Sequence, residues 1–164
     1  MRTPAYSVLA ALLFFLPQSA SALCTLFCSC SASTTAVSFG NYNPLSAASL
    51  DASGNVRVTC GGILGLLVPF DIALNKGSYS TSFSPRKMAS GSNRLSYDLY
   101  TSSTHAAIWG DGSAGSQIVS GSVNIILLGG TYQDHAVYGR IPSNQVTVPP
   151  GSYGDNVTVT VTYY

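Results

Sequence analysis

The chain has 164 residues and a formal net charge of +1, and only 8% of its residues are Asp, Glu, Lys or Arg. This charged fraction is far below the roughly 25% of ordinary soluble domains, and all six acidic residues are Asp. A near-neutral surface without a basic stripe argues against nucleic-acid binding. Weak repulsion between copies suits a protein that associates.

The first residues predict a secretory signal peptide over residues 1–22. Arg2 supplies the positive start, residues 7–16 form a short apolar run, and Ala20-Ser21-Ala22 is a small-residue cleavage site. The apolar run is shorter than the roughly 20 residues that a membrane-spanning helix needs. We therefore expect an exported chain that passes through the periplasm to the cell surface. It would carry one domain, residues 23–164, and no integral membrane segment after cleavage.

Four cysteines, Cys24, Cys28, Cys30 and Cys60, agree with export to an oxidising compartment. Four cysteines allow three pairings. We favour Cys30–Cys60, because each lies beside a predicted strand and a bridge would close a loop of about 30 residues. Cys24 and Cys28 could form a small loop, or one could pair with another chain. A lipid on Cys24 is an alternative, although Leu23 stands where Gly or Ala usually precedes the modified cysteine. A metal site built on this cysteine cluster would lack a fourth ligand.

Short strand patterns separated by turn residues fill the rest of the chain. The predicted strands are residues 36–39, 55–60, 68–74, 94–101, 122–127 and 136–141, with turns at 53–55 and 89–93 among those that divide them. One helical turn near residues 102–107 is the only helix expected. Many short strands punctuated by Gly, Pro and Asn are typical of an all-β antiparallel sandwich.

Residues 63–70 form an almost continuous apolar stretch, ILGLLVPF. We interpret this stretch as a buried strand with the loop that leads into it. The alternative is an exposed apolar surface for a partner chain.

The last predicted strand, residues 157–164, places Val157, Val159, Val161 and Tyr163 on one face. The sequence ends on this strand, so we expect no later segment to pair its outer edge. A long uncharged edge strand is a template for aggregation unless something covers it. We therefore predict that this edge binds a strand from another polypeptide.

Seven motifs follow one another through the chain from Cys30 onward. They are Val37-Ser38-Phe39-Gly40-Asn41-Tyr42-Asn43-Pro44, Leu50-Asp51-Ala52-Ser53-Gly54 with Val56-Arg57-Val58-Thr59-Cys60, Phe83-Ser84-Pro85-Arg86-Lys87-Met88, Leu95-Ser96-Tyr97-Asp98-Leu99-Tyr100-Thr101, Trp109-Gly110-Asp111-Gly112, Val137-Tyr138-Gly139-Arg140-Ile141-Pro142 and Pro150-Gly151-Ser152-Tyr153-Gly154-Asp155. In this order they resemble the spore coat protein U domain family, whose members include subunits of archaic (Csu-type) chaperone–usher pili.

The resemblance implies an immunoglobulin-like sandwich that lacks its final strand. It also implies three partners: a periplasmic chaperone that first fills the resulting groove, an outer-membrane usher, and neighbouring pilus subunits whose N-terminal segments replace the chaperone. This mode of binding is strand addition, in which main-chain bonds supply affinity and alternate side chains fill pockets.

The segment before Cys30 is short for a donor strand. Only residues 23–29 lie between the predicted cleavage site and Cys30, fewer than the roughly ten residues of a long strand. We therefore predict a subunit that accepts a strand but donates one poorly, as a subunit at the tip of a fibre would.

Residues that could carry chemistry are few. His105 and His135 are the only histidines, and Asp134 and His135, as neighbours on a strand, should point to opposite faces. No Gly-x-Ser-x-Gly elbow is present. We interpret Asp111 as a turn former and Trp109 as a core anchor, with sugar stacking as the alternative role for Trp109.

We expect no catalytic, cofactor-binding or metal-binding residues. Arg140 should cap its own sheet, with pairing to a partner as the alternative. The sequence therefore favours a secreted, non-enzymatic structural or adhesive pilus subunit. A coat or matrix protein of the same fold is the second interpretation, and a carbohydrate-binding module or hydrolase is the third.

Overall fold

The computed structural model describes residues 28–126 and 130–164, and every regular element in these ranges is a β-strand. In chain order the strands are β1 (Cys28–Thr35), β2 (Leu50–Gly62), β3 (Leu67–Leu74), β4 (Arg86–Ser90), β5 (Asn93–Tyr100), β6 (Val119–Asn124), β7 (Thr131–Ile141) and β8 (Val159–Tyr163). The predicted signal peptide, residues 1–22, lies outside the described residues. Within residues 28–126 and 130–164, no helix is long and apolar enough to cross a bilayer.

Two antiparallel sheets form the sandwich, which confirms the predicted fold class. One sheet has five strands in the order β1-β2-β7-β5-β4, and the other has three in the order β6-β3-β8. Alternate side chains of the two facing surfaces make one buried core, which includes Val56, Val58, Phe70, Ile72, Leu99, Trp109, Val137 and Ile141. Because one sheet is wider than the other, part of the inner face of the five-stranded sheet has no strand opposite it.

A disulfide joins Cys30 of β1 to Cys60 of β2, the favoured pair, and these two residues are direct partners in the ladder. Cys28 is disulfide-bonded as well, and Cys24 lies outside the described residues. Most of β1 is exposed. The Cys30–Cys60 disulfide joins this edge strand covalently to β2 at Cys60, which is buried in the core.

The predicted strand at residues 36–39 is not a ladder strand. Strand β1 forms upstream of it, and after Thr35 the chain leaves β2 and crosses the inner face of the five-stranded sheet. The predicted turn at residues 53–55 is also wrong, because these residues lie inside β2. A Cβ on Gly54 would come within 2.5 Å of the Thr35 carbonyl oxygen. Glycine is therefore required by a close approach of backbone and not by a turn.

Strand β4 was missed because its residues carry charge and the strand is only five residues long. Arg86, its first residue, is fully buried. Its guanidinium donates hydrogen bonds to the carbonyl oxygens of Asn75, Phe83 and Trp109 at 2.6–3.1 Å. Burial of this side chain is tolerated because backbone acceptors surround it.

Strand β6 runs through small residues, Val119–Asn124, and not through residues 122–127. Gly121 is the ladder partner of Phe70 in the same sheet, and a Cβ there would come within 2.7 Å of the Phe70 ring, so the neighbouring strand β3 selects a glycine at this position. The expected helical turn near residue 104 is a non-helical turn that ends at His105, whose φ of 56° is left-handed.

The apolar stretch 63–70 is partly a buried strand and partly an exposed apolar surface. Val68 and Phe70 are buried in β3, as the buried-strand interpretation predicted. Ile63, Leu64 and Leu67 are 50–60% exposed at the end of the sandwich.

Candidate functional site: the groove beside the last strand

A groove of about 940 Å³ lies where the five-stranded sheet has no strand opposite it. The first wall is formed by residues 148–157, apart from Ser152, together with Val159, and the second wall by residues 34–42. The floor is made of core side chains from five strands, namely Val56, Leu74, Met88, Leu95, Tyr97, Leu99, Val137 and Ile141. The groove therefore opens directly onto the apolar core of the sandwich.

The first wall of the groove continues into β8, which pairs with β3 alone among the described strands. Tyr164 N–H donates to the Pro69 carbonyl at 3.1 Å, and Asn75 N–H donates to the Thr158 carbonyl at 3.0 Å. Because antiparallel ladders alternate bonded and non-bonded residue pairs, the even-numbered residues of 158–164 bond to β3. The backbone groups of the odd-numbered residues point to the open side.

The four predicted edge residues are therefore those whose backbone faces the opening. Val157 and Val159 line the groove, whereas Val161 and Tyr163 lie beyond its lining, toward the end where β1 approaches β8. The three valines are half-buried against the core. Their role as a binding edge stays a prediction.

The second wall is the segment that follows β1, which the sequence prediction had assigned to a strand. Within residues 36–42, no residue takes part in a ladder or in any other backbone–backbone hydrogen bond among the described residues. Val37 and Phe39 pack onto Gly139, where a Cβ would come within 2.6 Å of the Val37 side chain. The Phe39 ring meets Tyr97 edge-to-face at 6.2 Å. Residues 36–42 and the odd-numbered residues of β8 thus border the groove with backbone groups that bond to no other backbone group among the described residues.

Charge is nearly absent from the groove, because Asp155 is the one charged residue among those that line it. Tyr97 O–H donates to Asp155 Oδ2 at 2.6 Å, and the N–H groups of Ser78 and Asn156 donate to Asp155 Oδ1 at 2.8 Å. Burial, with the bond to Asp155, raises the pKa of Tyr97 above its usual value. Asp155 is therefore saturated by its own domain, and the groove suits an uncharged, apolar occupant.

The other residues singled out in the sequence have structural partners. Trp109 is fully buried and its Nε1–H donates to the Ile72 carbonyl at 3.0 Å, so it is a core anchor. Asp111 Oδ1 accepts from Ser113 N–H and O–H, as a turn former does. Arg140 donates two hydrogen bonds to Asp51 at 2.6–2.7 Å, across its own sheet.

The two histidines lie in different environments. His105 Nε2 is 3.9 Å from Asp51 Oδ1, and His135 packs edge-to-face on Phe70 in the interior at 5.5 Å. Asp134 points to the outer face and pairs with Arg57 at 2.7 Å, which is the predicted opposite-face arrangement. His135 Nε2 is buried without a hydrogen-bond partner among the described residues. No group of three or more potential metal ligands lies within those residues.

His135 should make stability depend on pH. Burial lowers its pKa, and Asp134 offsets this only in part, so the unfolded chain binds a proton more readily than the folded one just below pH 6.5. The free energy of unfolding should therefore fall as pH drops through this window. A His135→Leu variant should lose less stability than the natural chain between pH 7.5 and 5.5 in urea unfolding. Parallel losses in the two proteins would contradict this assignment.

These features define an antiparallel sandwich with an apolar groove along an unpaired strand edge. The chain belongs to the Spore Coat Protein U domain family, whose model matches residues 17–160. Among solved structures, the chain is similar to one in the complex of the chaperone CsuC with the tip adhesion subunit CsuE, a pre-assembly complex from the archaic chaperone–usher Csu pili of Acinetobacter baumannii.

This structural similarity has 25% sequence identity and a TM-score of 0.53. It covers 82% of this chain, which spans 39% of the other. No curated protein sequence matches the chain.

Proposed function

We propose that this chain is a structural subunit of a chaperone–usher-type surface pilus and that its groove receives an extended strand of another polypeptide. The observation that carries the proposal is the groove itself, which has an apolar floor and unpaired backbone groups on both sides. A strand laid between the Val157–Tyr163 edge and residues 36–41 could form main-chain hydrogen bonds with both.

The apolar side chains around the groove favour a strand as the occupant. Val37, Phe39, Val157 and Val159 are only partly buried, and full burial of such a side chain contributes about 1.5–3 kcal/mol. Completing the burial of several of them would match a sizeable part of a domain's stability of about 5–15 kcal/mol. A strand with apolar residues at alternate positions offers side chains to the groove at the matching spacing.

The comparisons support a chaperone as one of the partners. The family match covers most of the chain, and the similar solved structure is a complex between a chaperone and a pilus subunit. The proposed partners are a periplasmic chaperone, an outer-membrane usher and neighbouring subunits, with the cell surface as the destination. The proposed role is structural or adhesive rather than enzymatic, and a position at the tip would fit the short segment before Cys30.

Replacing one inward-facing residue of the edge tests this function. Val159→Asp places a charge at the groove, so co-purification with a co-expressed periplasmic chaperone of the same pilus class should fall at least tenfold, about 1.4 kcal/mol or more. Thr160→Asp is the matched control, because Thr160 is the next residue on the same strand but is exposed on the outer face. It should leave the co-purified amount near that of the natural chain.

Equal co-purification of both variants would remove the groove from the function. Lateral packing of a coat protein would then be the better explanation, since it does not need a groove. Circular dichroism of each variant distinguishes a failure to bind from a failure to fold.

A further inference from the structure

The sequence of β8 does not determine its own register. Residues 157–162 repeat Val-Thr three times, and side chains alternate between faces with a period of two. A slip of one residue against β3 would turn the valines to solvent. A slip of two residues that brings Val157 opposite Leu74 would place Val157 and Val159 where Val159 and Val161 had been, and Val161 where Tyr163 had been. Every inward position would keep an apolar side chain, so burial of the valines hardly opposes this slip.

The structure selects one register, with Leu74 opposite Val159, Ile72 opposite Val161 and Phe70 opposite Tyr163. In a register shifted by two, Val157 would lie opposite Leu74 and Thr158 opposite Ala73. Val157 and Val159, which now line the groove, would each move along it by two residues. The wall formed by the residues after Tyr153 would then have to deform.

Polar contacts lie at both ends of β8, and one of them distinguishes the two registers. At its start, Asn75 Oδ1 accepts a hydrogen bond from Thr158 N–H at 2.9 Å, and Asn75 N–H donates to the Thr158 carbonyl at 3.0 Å. Both bonds go to main-chain groups, which Asn156 would also present after a shift of two residues, so Asn75 holds the strand without choosing its register. At its end, Tyr164 O–H donates to Asp71 Oδ2, and the same shift would carry this side chain away from Asp71.

Asp71 is held from the other side as well. It lies in β3, the central strand, and its Oδ1 accepts from Ser120 O–H of β6 at 2.5 Å. The hydrogen bond from Ser120, which has the larger effect, and the one from Tyr164 hold the pKa of Asp71 below its usual value. The carboxylate is therefore ionised at neutral pH and fixed relative to β3 and β6, and its free oxygen presents a single position to Tyr164.

We propose that Asp71 is a positioning residue that sets the register of β8 and thereby decides which backbone and side-chain groups form the edge of the groove. Its partner is Tyr164, the residue that directly follows β8 and donates a hydrogen bond to Asp71. The consequence for strand binding rests on the proposed function, whereas the register claim itself does not.

Cysteine pairs report the register directly. In one reporter, Ala73→Cys is combined with Thr160→Cys, its present partner in the ladder, and in the other with Thr158→Cys, its partner after the shift. Opposite residues are close enough for a disulfide, whereas diagonal ones are not. In the natural background, mass spectrometry of peptides should find the 73–160 bond in large excess over the 73–158 bond.

Removal of the Asp71–Tyr164 contact should change this ratio. Asp71→Ala and the mild Tyr164→Phe should each raise the 73–158 bond at least fivefold relative to the 73–160 bond. Asp71→Asn, which keeps an oxygen for Tyr164, should restore much of the natural ratio. Asp111→Ala, a change at an exposed Asp outside the sheets, should leave it unchanged.

The claim is overturned if both variants remain folded and keep the natural cross-link ratio. Should Asp71→Ala fail to fold, Tyr164→Phe decides, because it removes only an exposed hydroxyl. A fivefold loss of affinity of Asp71→Ala for a synthetic peptide with valine at alternate positions would link register to strand binding. If the natural chain itself does not bind this peptide while the ratios change as expected, the proposed function fails and the register claim stands.

Discussion

A synthetic peptide with valine at alternate positions, flanked by lysines for solubility, should raise the melting temperature of the isolated chain by roughly 10 °C at 100 times its dissociation constant. The reason is mass action, because a ligand that binds only the folded chain stabilises it by about 2.7 kcal/mol at that concentration. Differential scanning fluorimetry over a peptide titration measures the shift. The melting temperature should rise with the logarithm of peptide concentration.

A peptide of equal length with aspartate in place of valine is the matched control. It keeps the main-chain groups but presents charge to a groove whose floor is apolar, so it should not raise the melting temperature. The Val159→Asp variant should likewise show no shift with the valine peptide. Equal shifts from both peptides, or none from the valine peptide at saturation, would remove strand binding as the function of the groove.

Loss of the Cys30–Cys60 disulfide should have the second large effect. The two cysteines are 30 residues apart, and closing a loop of this length contributes roughly 3 kcal/mol by chain entropy. Cys30→Ala with Cys60→Val, which keeps apolar side chains at both positions, should lower the free energy of unfolding by about that amount in urea titrations. Because β1 is mostly exposed, its amides should also exchange with solvent faster than those of β2.

Ser31→Ala is the control for the disulfide variant, because Ser31 is the next residue on β1 and its side chain is exposed. It should change the free energy of unfolding by less than about 0.5 kcal/mol. If the disulfide variant is as stable as this control, the bridge does not hold β1 in place and the noncovalent ladder with β2 is sufficient.

Some features of the fold could be predicted because their signals are local. Alternation in residues 68–74 and 94–101 identified β3 and β5 closely, and the same signal assigned Val159 and Val161 to the inner face of β8. The signal failed where distant chain segments decide the structure. Gly54 was assigned to a turn because its sequence neighbours suggest one, yet it is in β2 because the chain after Thr35 passes over it.

The groove shows the same division between local and distant information. The predicted edge residues are those whose backbone faces the opening, because a terminal Val-Thr repeat has one apolar face wherever it pairs. The second wall could not be predicted from its own residues. Val37 and Phe39 look like strand residues, and only their contact with Gly139 and Tyr97 explains why they line a groove without pairing.

The sequence by itself determined the fold class, the apolar face of the last strand and the favoured cysteine pair, since each depends on residue type at short spacing or on one covalent link. The tertiary structure decided the width difference between the two sheets, the second wall of the groove and the register of β8. These depend on contacts between segments as distant as Asp71 and Tyr164. A period-two pattern is identical after a shift of two residues, so only such contacts can choose between the alternatives.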